Sequence, residues 1–292
     1  MSLQTFIKNN KGPFEAEMLT FIQDENIPSP LKESMMYSLS VGGKRLRPIL
    51  LFSILESLNI PIHKGYRVAS ALEMIHTYSL IHDDLPAMDD DELRRGKPTN
   101  HIVFGEATAI LAGDSLLTQA FEIIGEDETL SHETRLKIIV ELSKAAGPMG
   151  MVAGQVLDME AENKTVTIEQ LKNIHVNKTG KLIEFSLVSG AIIADLSQED
   201  INLLRQYAYH IGLAFQIKDD ILDIEGNEEL IGKTIGSDLT NGKSTYVTLT
   251  SLEQAKKMLQ AEIEAGRSVL QKLSFNTSLL HDITAYIKDR EA

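Results

Sequence analysis

The sequence predicts an all-α protein, a single domain of ten or more helices that covers residues 1–292. Apolar residues recur at three- and four-residue steps along most of the chain, as on one face of a helix. Alternating strand patterns are scarce, and the best strand-like run, 246–249, is short. Hydrophobic residues make up 43% of the chain but aromatic residues only 5%, so the core is expected to be aliphatic. Neither a 20–50-residue repeat nor a long linker divides it.

The clearest predicted helix covers 66–82. Val68, Leu72 and Ile75 lie on one face of it, and no proline interrupts the segment. Similar periodic segments cover six further ranges: 108–124, 133–146, 151–161, 181–194, 199–222 and 252–273. Residues typical of helix ends mark several boundaries: Gly147 with Pro148, Thr167 with Gln170, and Ser197.

Composition excludes several classes of protein. The formal charge of −14 argues against a general nucleic-acid binder, which needs a basic surface. The absence of cysteine excludes disulfides and thiolate metal sites. Without a run of 18 apolar residues, no transmembrane segment is predicted, and residues 1–10 lack the apolar core of a signal peptide. These features favour a cytoplasmic protein.

Two acidic clusters carry the main chemical signal, and the second has the simpler geometry. Asp219 and Asp223 are four residues apart and share a helix face, with Asp220 a quarter-turn around. The mostly apolar stretch 207–217 predicts a buried helix that ends in these acids. Clustered carboxylates repel each other, and a cation relieves the repulsion. The alternative is a solvated helix end.

The first acidic cluster runs from Asp83 to Glu92 and is less regular. Pro86 predicts that the preceding helix ends or bends near Asp84, which would let Asp89 turn back toward Asp83. His76 lies two helical turns before Asp83 and is expected near the same cavity. The alternative for 89–92 is a charged surface loop, and a lone His76 is more often a core histidine.

Basic clusters accompany the acids. Gly42 and Gly43 precede Lys44, Arg45 and Arg47. Glycine permits close backbone approach, and arginine binds phosphate oxygens through two donors. Further basic positions are Arg94, Arg95, Lys178, Lys233 and Lys243.

The carboxylates suit magnesium, which binds through carboxylates and substrate phosphates. The pattern predicts magnesium-dependent chemistry on a diphosphate. The chain has neither a nucleotide-binding phosphate loop nor a G-x-S-x-G elbow. No covalent intermediate is therefore expected.

A small-residue spacing at Gly150 and Gly154 is interpreted as a close contact between helices. Gln155 and Asp158, one turn apart just after it, are further candidates to face the site.

With these motifs the chain resembles the trans-polyprenyl diphosphate synthases, and among them the bacterial farnesyl diphosphate synthases (geranyltranstransferases). The resemblance covers nearly the whole chain. Its carriers are GGKRLRP at 42–48, EMIHTYSLIHDDLPAMDDDELRRGKPTNH at 73–101, GD at 113–114, GQVLDM at 154–159, KTG at 178–180, FQIKDDILD at 215–223 and GKTIGSDLTNGKSTY at 232–246. It implies an all-α bundle around a deep central cavity, usually a homodimer.

The resemblance also implies a role for each motif residue. Asp83, Asp89 and Asp219 would hold three magnesium ions on the allylic diphosphate, supported by Asp84, Asp220 and Asp223. The allylic diphosphate would further contact Arg94, Lys178 and Lys233. Thr179 and Gln216 would direct oxygens at the allylic cation and, with Lys178, form the catalytic set. The residues implied for isopentenyl diphosphate are Gly43, Lys44, Arg47, His76 and Arg95.

The implied activity is the addition of isopentenyl diphosphate to dimethylallyl and then geranyl diphosphate, which yields farnesyl diphosphate. Tyr78, five residues before Asp83 and beside the small Ser79, would limit the chain at fifteen carbons; the alternative is a plain core tyrosine. A geranylgeranyl or longer-chain synthase remains the nearest rival. A terpene cyclase would not need the second basic set, and a non-catalytic subunit would be expected to have lost motif residues.

Overall fold

The computed structural model describes residues 2–23, 26–162, 164–226 and 243–291. These residues are mostly helical, with more than ten α-helices, and their sheet structure is confined to one hairpin of two short strands. The all-α prediction is confirmed. The chain divides into two compact units, one of Met1–Glu56 with Ile60–Val140 and one of Ser57–Asn59 with Glu141–Ala292. That 1–292 acts as a single domain stays a prediction.

The first unit is built from helices and one hairpin. Its elements are α1 (Leu3–Thr20), α2 (Ser29–Ser40), α3 (Leu46–Ser57), a 3-10 turn (Ile62–Gly65), α4 (Tyr66–Asp83), β1 (Leu93–Arg94), β2 (Lys97–Pro98), α5 (Asn100–Phe104), α6 (Glu106–Gly125) and α7 (His132–Ala146) up to Val140.

Helix α4 lies in the core of this unit and carries several predicted site residues. It packs against α1, α2 and α6. Most of its residues are buried, including the acidic Glu73 and Asp83. The preceding helix α3 is buried without a break from Pro48 to Leu55, as expected for a central apolar helix. The residues at the end of α4 are therefore held in place by the packing of α4 against its neighbouring helices.

The hairpin has a two-residue turn. Leu93 pairs with Pro98 and Arg94 with Lys97, so Arg95 and Gly96 form the turn. Both have positive φ, 55° and 74°, as type I′ hairpin turns require. Glycine adopts this conformation freely, whereas an arginine there is held by its surroundings.

The second unit contains the remaining helices. Its elements after α7 are α8 (Met151–Ala161), α9 (Ile168–His175), a π-helical turn (Val176–Gly180), α10 (Lys181–Ile193), α11 (Gln198–Glu225), α12 (Tyr246–Leu249), α13 (Leu252–Leu270) and α14 (Ser278–Asp289).

Helix α11 is the central element of the second unit, packed against α13, α10, α14 and the π-helical turn. Its middle is buried from Tyr207 to Ile217 with few exceptions, which confirms the predicted buried helix leading to the second acidic cluster. Ser197 caps its start by accepting a hydrogen bond from the Asp200 N–H. At α9, Thr167 and Gln170 form the capping box that their spacing predicted.

No strand was predicted at residues 246–249, where the best strand-like run was too short. The strand-like run 246–249 is the single helical turn α12, because Thr245 caps it through Thr248. The seven periodic segments are helices, with boundaries that differ from the predicted ones by a few residues.

By length and composition α6 is apolar enough to cross a membrane, although the sequence predicted no such segment; 39% of its most apolar window is buried in the fold. One helix of this kind is weak evidence for a membrane span, because core helices of non-membrane proteins can have the same length and apolar composition.

Candidate active site

The glycine-rich loop before α3 presents its backbone to an arginine. Gly42 and Gly43 have positive φ, 88° and 145°, and Arg95 donates a hydrogen bond to the Gly42 carbonyl. A Cβ atom on Gly43 would lie 2.5 Å from Nη1 of Arg95, so a larger residue would displace the arginine side chain from this position. The hairpin turn thus places Arg95 on the loop that carries Lys44 and leads into α3, where Arg47 lies.

His76 lies among these cations. Burial, together with the positive charges of Arg47, Arg95, Arg94 and Arg45, holds the pKa of His76 well below its ordinary value. Its imidazole is therefore neutral at pH 7 and can donate a hydrogen bond through one ring nitrogen. The predicted residues His76, Arg47, Arg95 and Gly43 thus come together within the first unit, while Lys44 is exposed at the loop.

A small cavity of about 30 Å³ lies beside this basic cluster. Asp84 and Arg94 line it together with His76 and Arg95. A second, larger cavity in this unit has a volume of about 620 Å³ and lies beside α6, lined in part by Arg67, Asp114 and Glu122.

The first acidic cluster has the predicted geometry. Helix α4 ends at Asp83 with Asp84 as its cap, before Pro86. The backbone N–H of Asp89 donates to the Asp83 carbonyl at 2.9 Å, which confirms that the chain turns back as expected. The carboxylates of Asp83 and Asp84 are buried. Burial raises the pKa of Asp84, an effect that Arg94 opposes with a 2.7 Å hydrogen bond from Nε to Oδ1.

Tyr78 and Ser79 lie one turn or more before Asp83 on α4. The Tyr78 side chain is buried, and its ring meets the ring of His82 edge-on at 5.7 Å. His82 in turn packs on Gly113 of α6, where a Cβ atom would lie 2.5 Å from Cδ2 of His82 and closer still to Nε2. Ser79 hydrogen-bonds back to the His76 carbonyl at 2.8 Å. Tyr78 therefore belongs to the contact between α4 and α6.

The second acidic cluster lies at the end of α11. Asp220 and Asp223 are buried, whereas the Asp219 side chain is 41% exposed. Asp220 accepts a 2.7 Å hydrogen bond from the Tyr246 N–H, which anchors α12 to this cluster. Gln216 is partly buried one turn before Asp220 on the same helix.

Lys178 and Thr179 lie in the π-helical turn between α9 and α10. The turn directly precedes α10, which begins at Lys181 as the sequence predicted. Nζ of Lys178 lies 2.6 Å from Oδ2 of Asp158, so Asp158 faces a predicted site residue. A Cβ atom on Gly154 would lie 2.5 Å from the Lys178 Cα, which confirms the close contact expected at Gly154.

A buried aromatic pair supports this part of the second unit. The rings of His175 and Tyr246 lie 5.4 Å apart, and Nδ1 of His175 and the Tyr246 hydroxyl have no hydrogen-bond partner among the described residues. Burial lowers the pKa of His175 to about 4, so this imidazole is also neutral at pH 7.

The donor sets fit magnesium as an ion shared with a substrate. Among the described residues, no three acidic or histidine side chains gather closely enough to hold a metal ion alone. Magnesium is usually bound by one or two carboxylates together with substrate phosphates and water. Asp83 with Asp89, and Asp219 with Asp223, each offer such a partial set of hard oxygen donors.

One predicted site residue, Lys233, lies outside the described residues. Three ion pairs were not predicted from the sequence. Arg290 pairs with Asp219, and Arg45 pairs with both Glu73 and Glu15. For Arg45 the motif itself was a signal, since it lies between Lys44 and Arg47. For Arg290, near the end of the chain, no motif or spacing indicated the contact with Asp219.

Comparison with known proteins places these motifs in a family. A family model described as polyprenyl synthetase matches residues 28–274. The chain belongs to the polyprenyl synthetase family. This membership confirms the resemblance shown by the motifs, and with it the predicted prenyltransferase activity.

Individual members of the polyprenyl synthetase family are similar over their whole length. The farnesyl diphosphate synthase of Bacillus subtilis is 51% identical over 291 residues, 99% of this chain and 98% of the relative. The farnesyl diphosphate synthase of Geobacillus stearothermophilus is 50% identical over 293 residues, 100% of this chain and 99% of the relative. A crystal structure of an FPP/GFPP synthase from Zymomonas mobilis is 36% identical, with a TM-score of 0.86 over 98% of both chains.

Proposed function

We propose that this prenyltransferase adds isopentenyl diphosphate head-to-tail to dimethylallyl diphosphate and then to geranyl diphosphate, giving (2E,6E)-farnesyl diphosphate. The proposal rests on the basic cluster that Arg47, His76 and Arg95 form beside Gly43. This cluster shares no residue with the two carboxylate clusters. A single-substrate diphosphate enzyme needs no second anion site of this kind. The full-length similarity to two farnesyl diphosphate synthases supports the same substrates.

The isopentenyl diphosphate site is proposed in the first unit. Lys44, Arg47 and Arg95 supply positive charge, and guanidinium groups bind phosphate oxygens through two donors. The Gly43 backbone permits close approach of the substrate. His76 is neutral there and contributes a hydrogen bond without adding charge. The site thereby holds the nucleophilic double bond of isopentenyl diphosphate in a fixed orientation.

Each acidic cluster is proposed, within its own unit, to bind magnesium that carries allylic diphosphate. Asp83, Asp89 and Asp219 would hold three magnesium ions, as the family resemblance implies, and Asp84, Asp220 and Asp223 would support them as additional groups. Further contacts are proposed for Arg94, Lys178 and Lys233. When bound, magnesium would neutralise the charge that develops on the departing diphosphate.

The chain's own residues would then assist the reaction. As the carbon–oxygen bond to the diphosphate breaks, the oxygens of Thr179 and Gln216 would stabilise the positive charge on the allylic carbon. The isopentenyl double bond forms the new carbon–carbon bond, and a proton leaves to the released diphosphate. Asp158, which pairs with Lys178, would hold that ammonium group in place before substrate binds.

Tyr78 is proposed to end chain growth at fifteen carbons. Its ring is buried and fixed against His82, so it cannot turn aside without a change in the contact between α4 and α6. Ser79, bonded to the His76 carbonyl, leaves space beside it. A geranylgeranyl or longer-chain synthase is less well supported, because both full-length relatives at about half identity are farnesyl diphosphate synthases.

A homodimer is proposed as the working form, with a cytoplasmic location. Several large apolar side chains of the first unit are exposed, a feature typical of interaction surfaces. They are Ile102, Val103, Ile110, Leu111, Leu136 and Val140. Exposed Ile110 and Leu111 on α6 also account for part of that helix's high hydropathy. Sedimentation of the protein and of Leu111→Asp tests the dimer, which the substitution should weaken.

A product assay tests the proposed function. Purified protein is incubated with magnesium, dimethylallyl diphosphate and labelled isopentenyl diphosphate, and the dephosphorylated alcohols are separated by length. Farnesol as the main product supports the proposal. Geranylgeraniol or longer alcohols would retain the mechanism and reject the product length. No magnesium-dependent product would favour a non-catalytic subunit.

A further inference from the structure

The Arg45 side chain is buried within the first unit, at the edge of the small cavity that His76 and Arg95 also line. It is 6% exposed, although its neighbour Lys44 is exposed. Its guanidinium contacts three helices: Nε lies 2.9 Å from Oε1 of Glu15 on α1, Nη1 lies 2.6 Å from Oε2 of Glu73 on α4, and Nη2 donates to the Leu39 carbonyl of α2 at 2.7 Å. A buried charge needs such partners, so Arg45 ties the loop to all three helices.

The backbone at Arg45 is held in a costly conformation. Its φ is 51°, in the left-handed region, where the Cβ of a residue other than glycine lies too close to the backbone. Such a conformation persists only where the surrounding contacts fix it. With Gly42 and Gly43 also at positive φ, the loop turns so that Arg45 enters the core while Gly43 faces Arg95.

The partner on α4 connects this anchor to the proposed isopentenyl site. Glu73 lies one helical turn before His76, and residues three apart share a helix face. Its side chain is 3% exposed and pairs with Arg45. The positive charge of Arg45 also contributes to the low pKa of His76, although less than Arg47 or Arg95 does. The ion pair therefore fixes the loop at the turn of α4 next to His76.

We propose that Arg45 is a positioning residue: through its buried ion pair with Glu73 it holds the loop 42–45 and the start of α3 so that Gly43, Lys44 and Arg47 are ready to bind the diphosphate of isopentenyl diphosphate. Arg45 does not touch the substrate. The proposal rests on the function proposed above. A site organised in advance avoids the cost of ordering its groups on binding, and that cost would appear when Arg45 is lost.

The test replaces both members of the ion pair, Arg45 and Glu73, rather than one of them. Arg45→Met alone leaves Glu73 buried without its charge partner, which can prevent folding. The double variant Arg45→Met with Glu73→Leu replaces the pair by apolar side chains and is expected to fold. We expect its KM for isopentenyl diphosphate to rise at least about tenfold, with kcat and the KM for geranyl diphosphate within about twofold of wild type. Arg45→Lys should give an intermediate KM, because an ammonium group cannot span three partners.

The matched control is Arg205→Met in the second unit. Arg205 also bridges two glutamates, Glu141 and Glu184, and its loss removes the same kind of interaction. The Arg205→Met substitution should lower the melting temperature and leave the KM for isopentenyl diphosphate unchanged.

Calorimetric binding of isopentenyl diphosphate, measured without turnover, separates this proposal from the proposed function. Wild-type protein that neither binds isopentenyl diphosphate nor forms product would reject both. Wild-type binding and a folded double variant with unchanged affinity would reject the positioning role alone. Equal rises in the KM of both substrates would also reject it, since the effect would then not be confined to the loop.

Discussion

The guanidinium of Arg290, near the end of the chain, lies 2.6 Å from Oδ1 of Asp219 in the second acidic cluster. The same guanidinium stacks on the Phe215 ring at 4.0 Å and donates to the Phe215 carbonyl at 2.8 Å. Arg290 is almost fully buried, and its neighbour Asp289 ends α14. A cation of the protein thus contacts a carboxylate proposed to bind magnesium.

Replacing Arg290 by leucine should therefore lower the magnesium concentration needed for half-maximal activity. The carboxylate of Asp219 is part-exposed, and such pairs contribute up to about 1 kcal/mol, so a decrease of about twofold to fivefold is expected. Magnesium titrations of activity and of melting temperature measure it. Arg267→Leu removes the same charge from α13 and should leave the requirement unchanged. An unchanged or higher requirement in the Arg290 variant would show that the pair does not compete with the metal.

Loss of either proposed metal ligand should abolish turnover without unfolding the protein. For Asp83→Ala and Asp219→Ala we expect kcat to fall by at least about a thousandfold, because the leaving diphosphate loses its charge compensation. Circular dichroism should show unchanged helicity. Glu92→Ala, which removes an exposed acid from the same loop, is the control and should retain activity. Near-normal turnover in either aspartate variant would contradict the metal assignment.

Tyr78→Ala should lengthen the product beyond fifteen carbons, since the space left by the ring becomes available to the growing chain. Chromatography of the dephosphorylated products measures the shift. Tyr66→Ala is the matched control, because Tyr66 packs between Phe14 and Phe52. Both substitutions should reduce stability, yet only the first should change product length. Farnesol as the main product of Tyr78→Ala would show that the ring is a plain core side chain.

His175 should make the protein less stable as the pH falls. Its pKa is about 4 in the folded state and 6.5 in the absence of burial, so the unfolded chain binds its proton first. Neutral His175 makes its full contribution to the free energy of unfolding above pH 6.5. This contribution is lost as the pH falls to 4, which lowers the free energy of unfolding by about 3 kcal/mol.

His175→Phe keeps the ring against Tyr246 and removes the titration. Melting temperatures measured from pH 7 to pH 4 should therefore fall less steeply in this variant. His63→Phe, at an exposed position, is the control and should follow the wild type. Parallel curves for wild type and His175→Phe would show that this imidazole does not control acid stability.

Gly154→Ala should disturb Lys178 rather than stabilise α8. In an open helix the change gains up to about 1 kcal/mol, but here the new Cβ would lie 2.5 Å from the Lys178 Cα. Overpacking typically costs about 1–3 kcal/mol, and a shift of the π-helical turn should lower kcat. Gly125→Ala, where a Cβ would meet nothing within 4 Å, is the control. A stabilised variant with normal kcat would contradict the expectation.

The helices could be predicted because their apolar periodicity reflects burial, as α4 and α11 show. The return of Asp89 to Asp83 could be predicted because Pro86 leaves the helix few ways to continue. The contact between Arg290 and Asp219 could not, because it joins residues 71 positions apart that share no pattern. Nor could the inward direction of Arg45, since it depends on a backbone angle rather than on residue type.

The π-helical turn at Val176–Gly180 has a consequence for protein engineering. A π-helical turn contains one residue more than the α-helical turn it replaces. Deleting a single residue would restore an uninterrupted helix and rotate Lys178 by about 100° relative to α10. Grafting the sequence Lys-Thr-Gly onto a regular α-helix of another protein would therefore not reproduce the position of the lysine. A transplanted site would have to carry the extra residue together with the glycine of α8 that makes room for it.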